Sequence, residues 1–288
     1  MVKGLLWRES SQRTLQGLSW RLLQGMMSTE SAAAKAEHVA ASKKKLAGKR
    51  FYEKANMRPA DKGGGYEVLL DHRVLRTPAK KALRLPTPAL ALALAAEWEW
   101  QDRSGVRSFT MPLVRLASIT IDQIPIDKEK IIASLLKYCH TDALCCRAEP
   151  GSKLADKQTR YWDPLLDWAE KELGARLIVS SSIFGANQPQ HVLNALEKTL
   201  RNLNDWELAA VDSLASSSRS LVVALAVARN HLKIDQALDI IRLEEEHQID
   251  EWGLVEGGHD IDIADLRVRI SAASIFLRLL GYNTDKKL

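Results

Sequence analysis

From Phe51 onward, apolar positions recur with two different periods. Tyr66, Val68 and Leu70 alternate with other residues after the punctuation of Gly63-Gly64-Gly65, and Asp71-His72-Arg73 offers a turn. Val74 to Thr77 and Leu83 to Leu85 are further short extended runs, so a small β meander is expected here. Thr87-Pro88 then places an N-cap residue before a proline at the first helical position. In the LALALAAEWEWQ that follows, the alanine content and the four-residue spacing of Leu90, Leu94 and Trp98 predict a helix. Proline and aspartate signals predict two more, from about Pro112 to Gln123 and from Asp127 to Tyr138. Glu149-Pro150-Gly151-Ser152 breaks the pattern. Beyond it we expect a helix around Tyr161 to Leu173, a short apolar run Leu177 to Val179, and helical stretches near 190–203, 205–230, 235–252 and 262–280. The class predicted is α+β: a small N-terminal β-containing α/β domain over 49–150, then a mainly helical C-terminal domain over 151–288.

Charge changes how the first fifty residues are understood. The chain of 288 residues carries +5 overall, but residues 1–50 hold ten Lys/Arg against three Glu. The basic excess therefore lies in the leader, and the remainder is slightly acidic, which argues against a nucleic-acid partner. Lys3, Arg8, Arg13 and Arg21 are spaced among Leu5, Leu6, Trp7, Leu15, Leu18, Leu22 and Leu23, with Glu9 the first acid and Glu30 the next. An amphipathic, arginine-bearing, acid-poor leader is the pattern of a mitochondrial or plastid transit peptide, and the dominance of arginine over hydroxyl residues favours the mitochondrion. Residues 1–48 are thus expected to comprise that peptide and a flexible Ala/Lys-rich spacer. No apolar run reaches the roughly 20 residues of a membrane span, so no membrane insertion is expected.

Candidate chemistry is sparse. Cys139, His140, Cys145 and Cys146 crowd together, but adjacent Cys145 and Cys146 lack the chelate loop of a zinc knuckle, and no second ligand pair accompanies them. Reduced, partly buried thiols are expected instead. Glu244 with His247 and Glu256 with His259 form two E-x-x-H pairs, yet a di-metal bundle needs such pairs on different facing helices. Gly63-Gly64-Gly65 is neither a Walker loop nor a dinucleotide fingerprint. No metal, cofactor or catalytic residue is expected.

The most distinctive stretch is Arg242 to Gly253, RLEEEHQIDEWG. On one continuous helix, Ile234, Ala237, Leu238, Ile241, Gln248 and Trp252 share a stripe, and Glu245 falls near its middle with Glu244 and Glu246 to either side. A carboxylate there is neutralised, ion-paired, or left facing a groove that a partner closes. The pairing alternative names Arg267 or Arg269 as the cation.

Lys49-Arg50-Phe51-Tyr52, Gly64-Gly65-Tyr66-Glu67-Val68, Leu70-Asp71-His72-Arg73, Leu75-Arg76-Thr77-Pro78, Ala96-Glu97-Trp98, Thr141-Asp142 with Cys145 and Arg147, Trp162-Asp163-Pro164, and Leu243-Glu244-Glu245-Glu246 to Trp252-Gly253 with His259-Asp260 occur in consistent order. In this the chain resembles the mitochondrial ATP synthase assembly factors that chaperone the α subunit of the catalytic head. Cys146 departs from the pattern, where an aromatic is expected. The resemblance implies a non-enzymatic chaperone of the mitochondrial matrix. It would be a monomer when free, and would bind free α subunit and shield the surface later covered by the β subunit. Glu244, Glu245, Glu246, Trp252 and Trp98 are the expected contact residues, with Trp98 alternatively a core side chain stapling helix to sheet. Trp162, with Asp163-Pro164 opening the next helical turn, is expected in junction packing. The competing expectation is a metal-dependent or hydrolytic enzyme using Glu244, His247 and Glu251.

Overall fold

The computed structural model describes residues 49–61, 63–182, 185–253 and 259–281. The expected transit peptide and spacer lie outside the described residues, as does Glu256. The fold is α+β, as the periodicities indicate.

A four-stranded antiparallel sheet comes first: β1 (Ala55–Pro59), β2 (Tyr66–Leu70), β3 (Arg73–Val74) and β4 (Arg84–Leu85). β2 is its hub, with Met57 of β1 opposite Val68, and with Val74 of β3 and Leu85 of β4 opposite Leu69 and Tyr66. The alternation of Tyr66 to Leu70 marks β2. β1 escapes the pattern because ANMRP has one large apolar residue and ends in proline, a composition suited to an edge strand. The β2–β3 turn holds Asp71 at φ +53°, and its carboxylate accepts the Glu53 and Lys54 N–H groups at 3.0 and 2.9 Å. At Gly65 a Cβ would sit 2.8 Å from the Leu85 carbonyl oxygen, so only glycine lets β2 begin so close to β4.

Helix α1 (Pro88–Glu99) buries Leu90 and Leu94 in the core that includes Val68 and Leu85 of the sheet. Its cap is the one the sequence announces: Thr87 Oγ1 accepts the Leu90 N–H at 3.2 Å and donates to the Leu279 carbonyl at 2.6 Å. Then follow α2 (Pro112–Asp122), α3 (Ile124–Tyr138), α4 (Lys153–Leu173), α5 (Gln190–Arg201), α6 (Asp205–Ser218), α7 (Leu221–Ala228), α8 (Ile234–Ile241), α9 (Leu243–Trp252) and α10 (His259–Leu279). α7 is LVVALAVA with every residue buried, as expected of a helix that is apolar on all sides. One apolar cluster joins residues from Val68 and Leu94 through Trp162 and Leu196 to Leu225 and Phe276. Asp102–Arg107 stands apart from the unit that carries these elements, and in it the Ser104 N–H donates to Asp102 Oδ1 at 2.9 Å.

Three expected boundaries differ. The 205–230 stretch is two helices, interrupted where Arg219 turns left-handed at φ +54° and Ser220 caps α7 by accepting the Val223 N–H. The 235–252 stretch is also two, broken at Arg242 with φ −94° and ψ 4°. α4 starts at Lys153, capped by Ser152, so Pro164 lies inside this helix instead of opening a turn.

Candidate functional site

The break at Arg242 sets the geometry of the acidic stretch. α9 buries only Leu243, so polar contacts fasten it to α4. Gln158, fully buried on α4, donates from Nε2 to Glu244 Oε1 at 2.8 Å while its Oε1 accepts the Ala148 N–H at 2.8 Å. Further along, Lys157 reaches Asp250 at 3.0 Å. Glu244 keeps an exposed surface, but the crowding of its carboxylate pushes its pKa up, an effect that the Gln158 hydrogen bond and the Arg219 charge oppose.

Arg242 gathers the other two carboxylates, contacting Glu245 at 3.2 Å and Glu246 at 2.5 Å. Glu245 is thus the least exposed of the three, yet its cation is Arg242, not Arg267 or Arg269. Arg267 instead meets Asp235 at 3.5 Å and Arg269 meets Asp265. Trp252, expected on the apolar stripe, is 75% exposed. A kink at Arg242 restarts the helical phase, and a stripe drawn through both halves does not survive it. The resulting surface is acidic, with an arginine behind it and an exposed indole at its end.

Beneath α9, Trp162 is 2% exposed and its indole N–H donates to the Ile240 carbonyl at 3.2 Å. The Arg147 guanidinium lies 5.5 Å from the Trp162 ring centroid and donates to Asp163 at 2.6 Å. Sequence reasoning gave no role to Gln158 or Arg242.

Asp142 is the most heavily engaged carboxylate nearby. Wholly buried, it accepts the N–H of Leu144 at 3.0 Å, of Leu221 at 2.8 Å and of Val222 at 3.3 Å. It therefore caps α7 from across the fold. Burial pushes its pKa up to about 6 despite these bonds. Cys139 and Cys145 are buried free thiols beside it, and burial plus the Asp142 charge push Cys139 up to about 12 and Cys145 higher still. Thiols so raised are poor nucleophiles and poor metal ligands. His140 Nδ1 accepts the Gln188 N–H at 3.2 Å. Among the described residues, no group of three or more His, Cys, Asp and Glu is placed to hold a metal ion, and no helix is long and apolar enough to cross a membrane.

Trp98 is half-buried on α1. Its ring meets Tyr52 edge-on at 5.7 Å, and the Tyr52 hydroxyl donates to the Trp98 carbonyl at 2.6 Å. Tyr52 lies in the segment ahead of β1, so this contact ties the end of α1 to that segment. Next to it Glu97 accepts the Leu113 and Val114 N–H groups, both at 2.8 Å, and so caps α2, which has no side-chain cap of its own. Burial pushes Glu97 up to about 7.

Three large apolar side chains are exposed on α10, Ile261, Val268 and Ile275, and others are spread over the fold, among them Leu92 on α1, Ile126 on α3 and Trp252 on α9.

Comparison with known proteins fits this architecture. Residues 49–170 match the model of the ATP12 chaperone protein family. Over 249 residues the chain is 28% identical to the mitochondrial protein atp12 of Schizosaccharomyces pombe, covering 83% of this chain and 85% of that one. Against the mitochondrial ATP12 of Saccharomyces cerevisiae it is 24% identical over 269 residues, covering 78% and 82%. The crystal structure of Atp12 from Paracoccus denitrificans superposes with a TM-score of 0.74 at 34% identity, over 81% of this chain and 98% of that one. With one fold shared at 34% identity over nearly the whole length of that relative, the chain belongs to the ATP12 chaperone family.

Proposed function

We propose that this protein is an assembly chaperone of the mitochondrial ATP synthase that holds the free α subunit in the matrix until the β subunit covers the same surface. Membership of the ATP12 chaperone family carries the proposal. Free α would expose an apolar subunit interface, and an uncovered patch of that kind aggregates. A holding protein needs apolar contact to compete for it and charge to set register and permit release. The acidic face of α9 supplies the charge. Glu245 and Glu246, held by Arg242, would meet basic groups of the client, with Trp252 as an exposed aromatic anchor. Glu244 would keep α9 docked through Gln158, and Trp98 would tie α1 to the segment ahead of β1 through Tyr52. Transit into mitochondria would be the work of residues 1–48 and would end in their removal.

The test is co-purification from mitochondria. α subunit without β should be recovered with the tagged chain, and Glu245→Lys should reduce recovery at unchanged melting temperature. Recovery of neither subunit would refute the proposal.

A further inference from the structure

Arg242 stands at the break between α8 and α9 and serves two carboxylates at once. Its Nε contacts Glu245 at 3.2 Å and its Nη2 contacts Glu246 at 2.5 Å, so one planar guanidinium is shared by two neighbouring side chains. The arginine side chain is 16% exposed, whereas those of Glu245 and Glu246 are 35% and 48% exposed. The cation is therefore held from behind while its partners face solvent. Glu244 is engaged by Gln158, and Asp250, further along α9, is engaged by Lys157. Within the Glu244–Glu246 run, the pair that meets an approaching molecule with Arg242 behind it is Glu245 and Glu246.

Electrostatics gives this arrangement a consequence for binding. The three charges sum to −1, half of what the two carboxylates would present alone. A basic side chain that approaches them is attracted by both anions and repelled by the guanidinium that bridges them. To form its own charge-assisted pair it must share or take over carboxylate oxygens that Arg242 contacts. When it leaves, Arg242 closes on the same oxygens, and neither carboxylate is left bare at any stage. Exchanging one cation for another costs less than stripping a cation from a carboxylate, so the arrangement weakens the grip and eases departure. A buried lysine could not do this as well, because a compact ammonium lacks the fork that spans two carboxylates.

We propose that Arg242 is a built-in competitor of the client. In the free chain it fills the place that a basic group of the client takes on Glu245 and Glu246, and it thereby limits how tightly the acidic face of α9 holds its client and allows the client to be handed on. The proposal rests on the reading that this face contacts free α subunit, and adds to that reading the means of release.

The experiment measures capture of α subunit by the full chain, by Arg242→Met and by Arg242→Lys at low and at physiological salt, followed by transfer of α to added β subunit, each beside thermal unfolding. Methionine keeps an apolar stem without charge; lysine keeps the charge but reaches one carboxylate at a time. We expect Arg242→Met to hold α about fivefold more tightly, to lose it more steeply as salt rises, and to pass it to β more slowly, with Arg242→Lys between it and the original chain. An arginine that served only to position the two carboxylates would give the opposite sign, with weaker capture once it is replaced. Capture by both variants equal to or weaker than that of the original chain overturns the competitor while leaving the client contact intact. Absence of capture by the original chain overturns the contact and the competitor together. If Arg242→Met fails to fold, Arg242→Lys decides: tighter capture with slower transfer supports the competitor, and equal or weaker capture overturns it.

Discussion

The carboxylate of Asp142 accepts the backbone N–H of Leu221, 79 positions later in the chain, at 2.8 Å. This single contact joins the end of α3 to the start of α7, the most deeply buried helix of the described fold. A helix N-terminus inside a protein leaves N–H groups without partners unless a side chain reaches them, and Asp142 and Ser220 divide that task.

Asp142→Ala should therefore be severely destabilising. Three backbone N–H groups lose their acceptor in a site without water access, and each costs about 1–3 kcal/mol. We expect a loss of roughly 3–5 kcal/mol in chemical denaturation. Asp142→Asn retains one acceptor oxygen and should lose about half as much. A change below about 1 kcal/mol for the alanine variant would contradict the capping role.

Glu97 makes stability depend on pH with a definite sign. Its pKa rises from the ordinary 4.5 to about 7 in the fold, so the folded chain holds this proton more tightly than the unfolded chain does. The contribution is fully present below pH about 4.5 and is lost as pH rises through about 7, by up to about 3 kcal/mol. Urea unfolding between pH 5 and pH 8 should show a decline that Glu97→Gln flattens, since the amide cannot ionise and still offers one acceptor. Parallel curves for the two proteins would show that Glu97 is not the source.

Much of this architecture is legible in the sequence, and the exceptions have physical causes. Tyr66 to Leu70 alternates and forms the central strand, and Thr87-Pro88 caps the helix it announces. β1 is not legible because an edge strand with no fully buried residue needs few apolar side chains. The splits at Arg219 and Arg242 are not legible because arginine is a good helix former; the first is set by the distant Asp142 carboxylate that caps α7, and the helix after the second has no side-chain cap. Glu244 to Glu246 stand out by charge alone, but Arg242, the partner of Glu245 and Glu246, could not be read because a stripe drawn across the kink pointed to Arg267 and Arg269. Gln158 gave no signal: a lone glutamine in a helix is ordinary until burial shows that both ends of its amide are used.

Gln158→Leu should loosen α9 selectively. Glu244 loses its donor and Ala148 its acceptor, and Leu243 is the one buried side chain left to hold the helix. Amide hydrogen exchange in residues 243–252 should quicken about tenfold or more, with slower sites in α7 unchanged. Uniform acceleration throughout the chain would mean that Gln158 supports the whole core.

Glu245→Lys places a second cation beside Arg242 while Glu246 still neutralises the first. Because Glu245 keeps about a third of its side chain in solvent, with relative exposure 35%, the stability cost should stay near 1 kcal/mol or less. Thermal unfolding checks that figure. A cost above about 3 kcal/mol would mark a buried structural pair and remove Glu245 from the client surface.

The most direct measurement of the chaperone's role is the partition of newly made α subunit between soluble and aggregated fractions in mitochondria with and without this chain. Soluble α, bound to the chain and free of β, is the predicted result, with aggregation when the chain is removed or carries Glu245→Lys. Equal solubility of α in the presence and absence of the chain would contradict it.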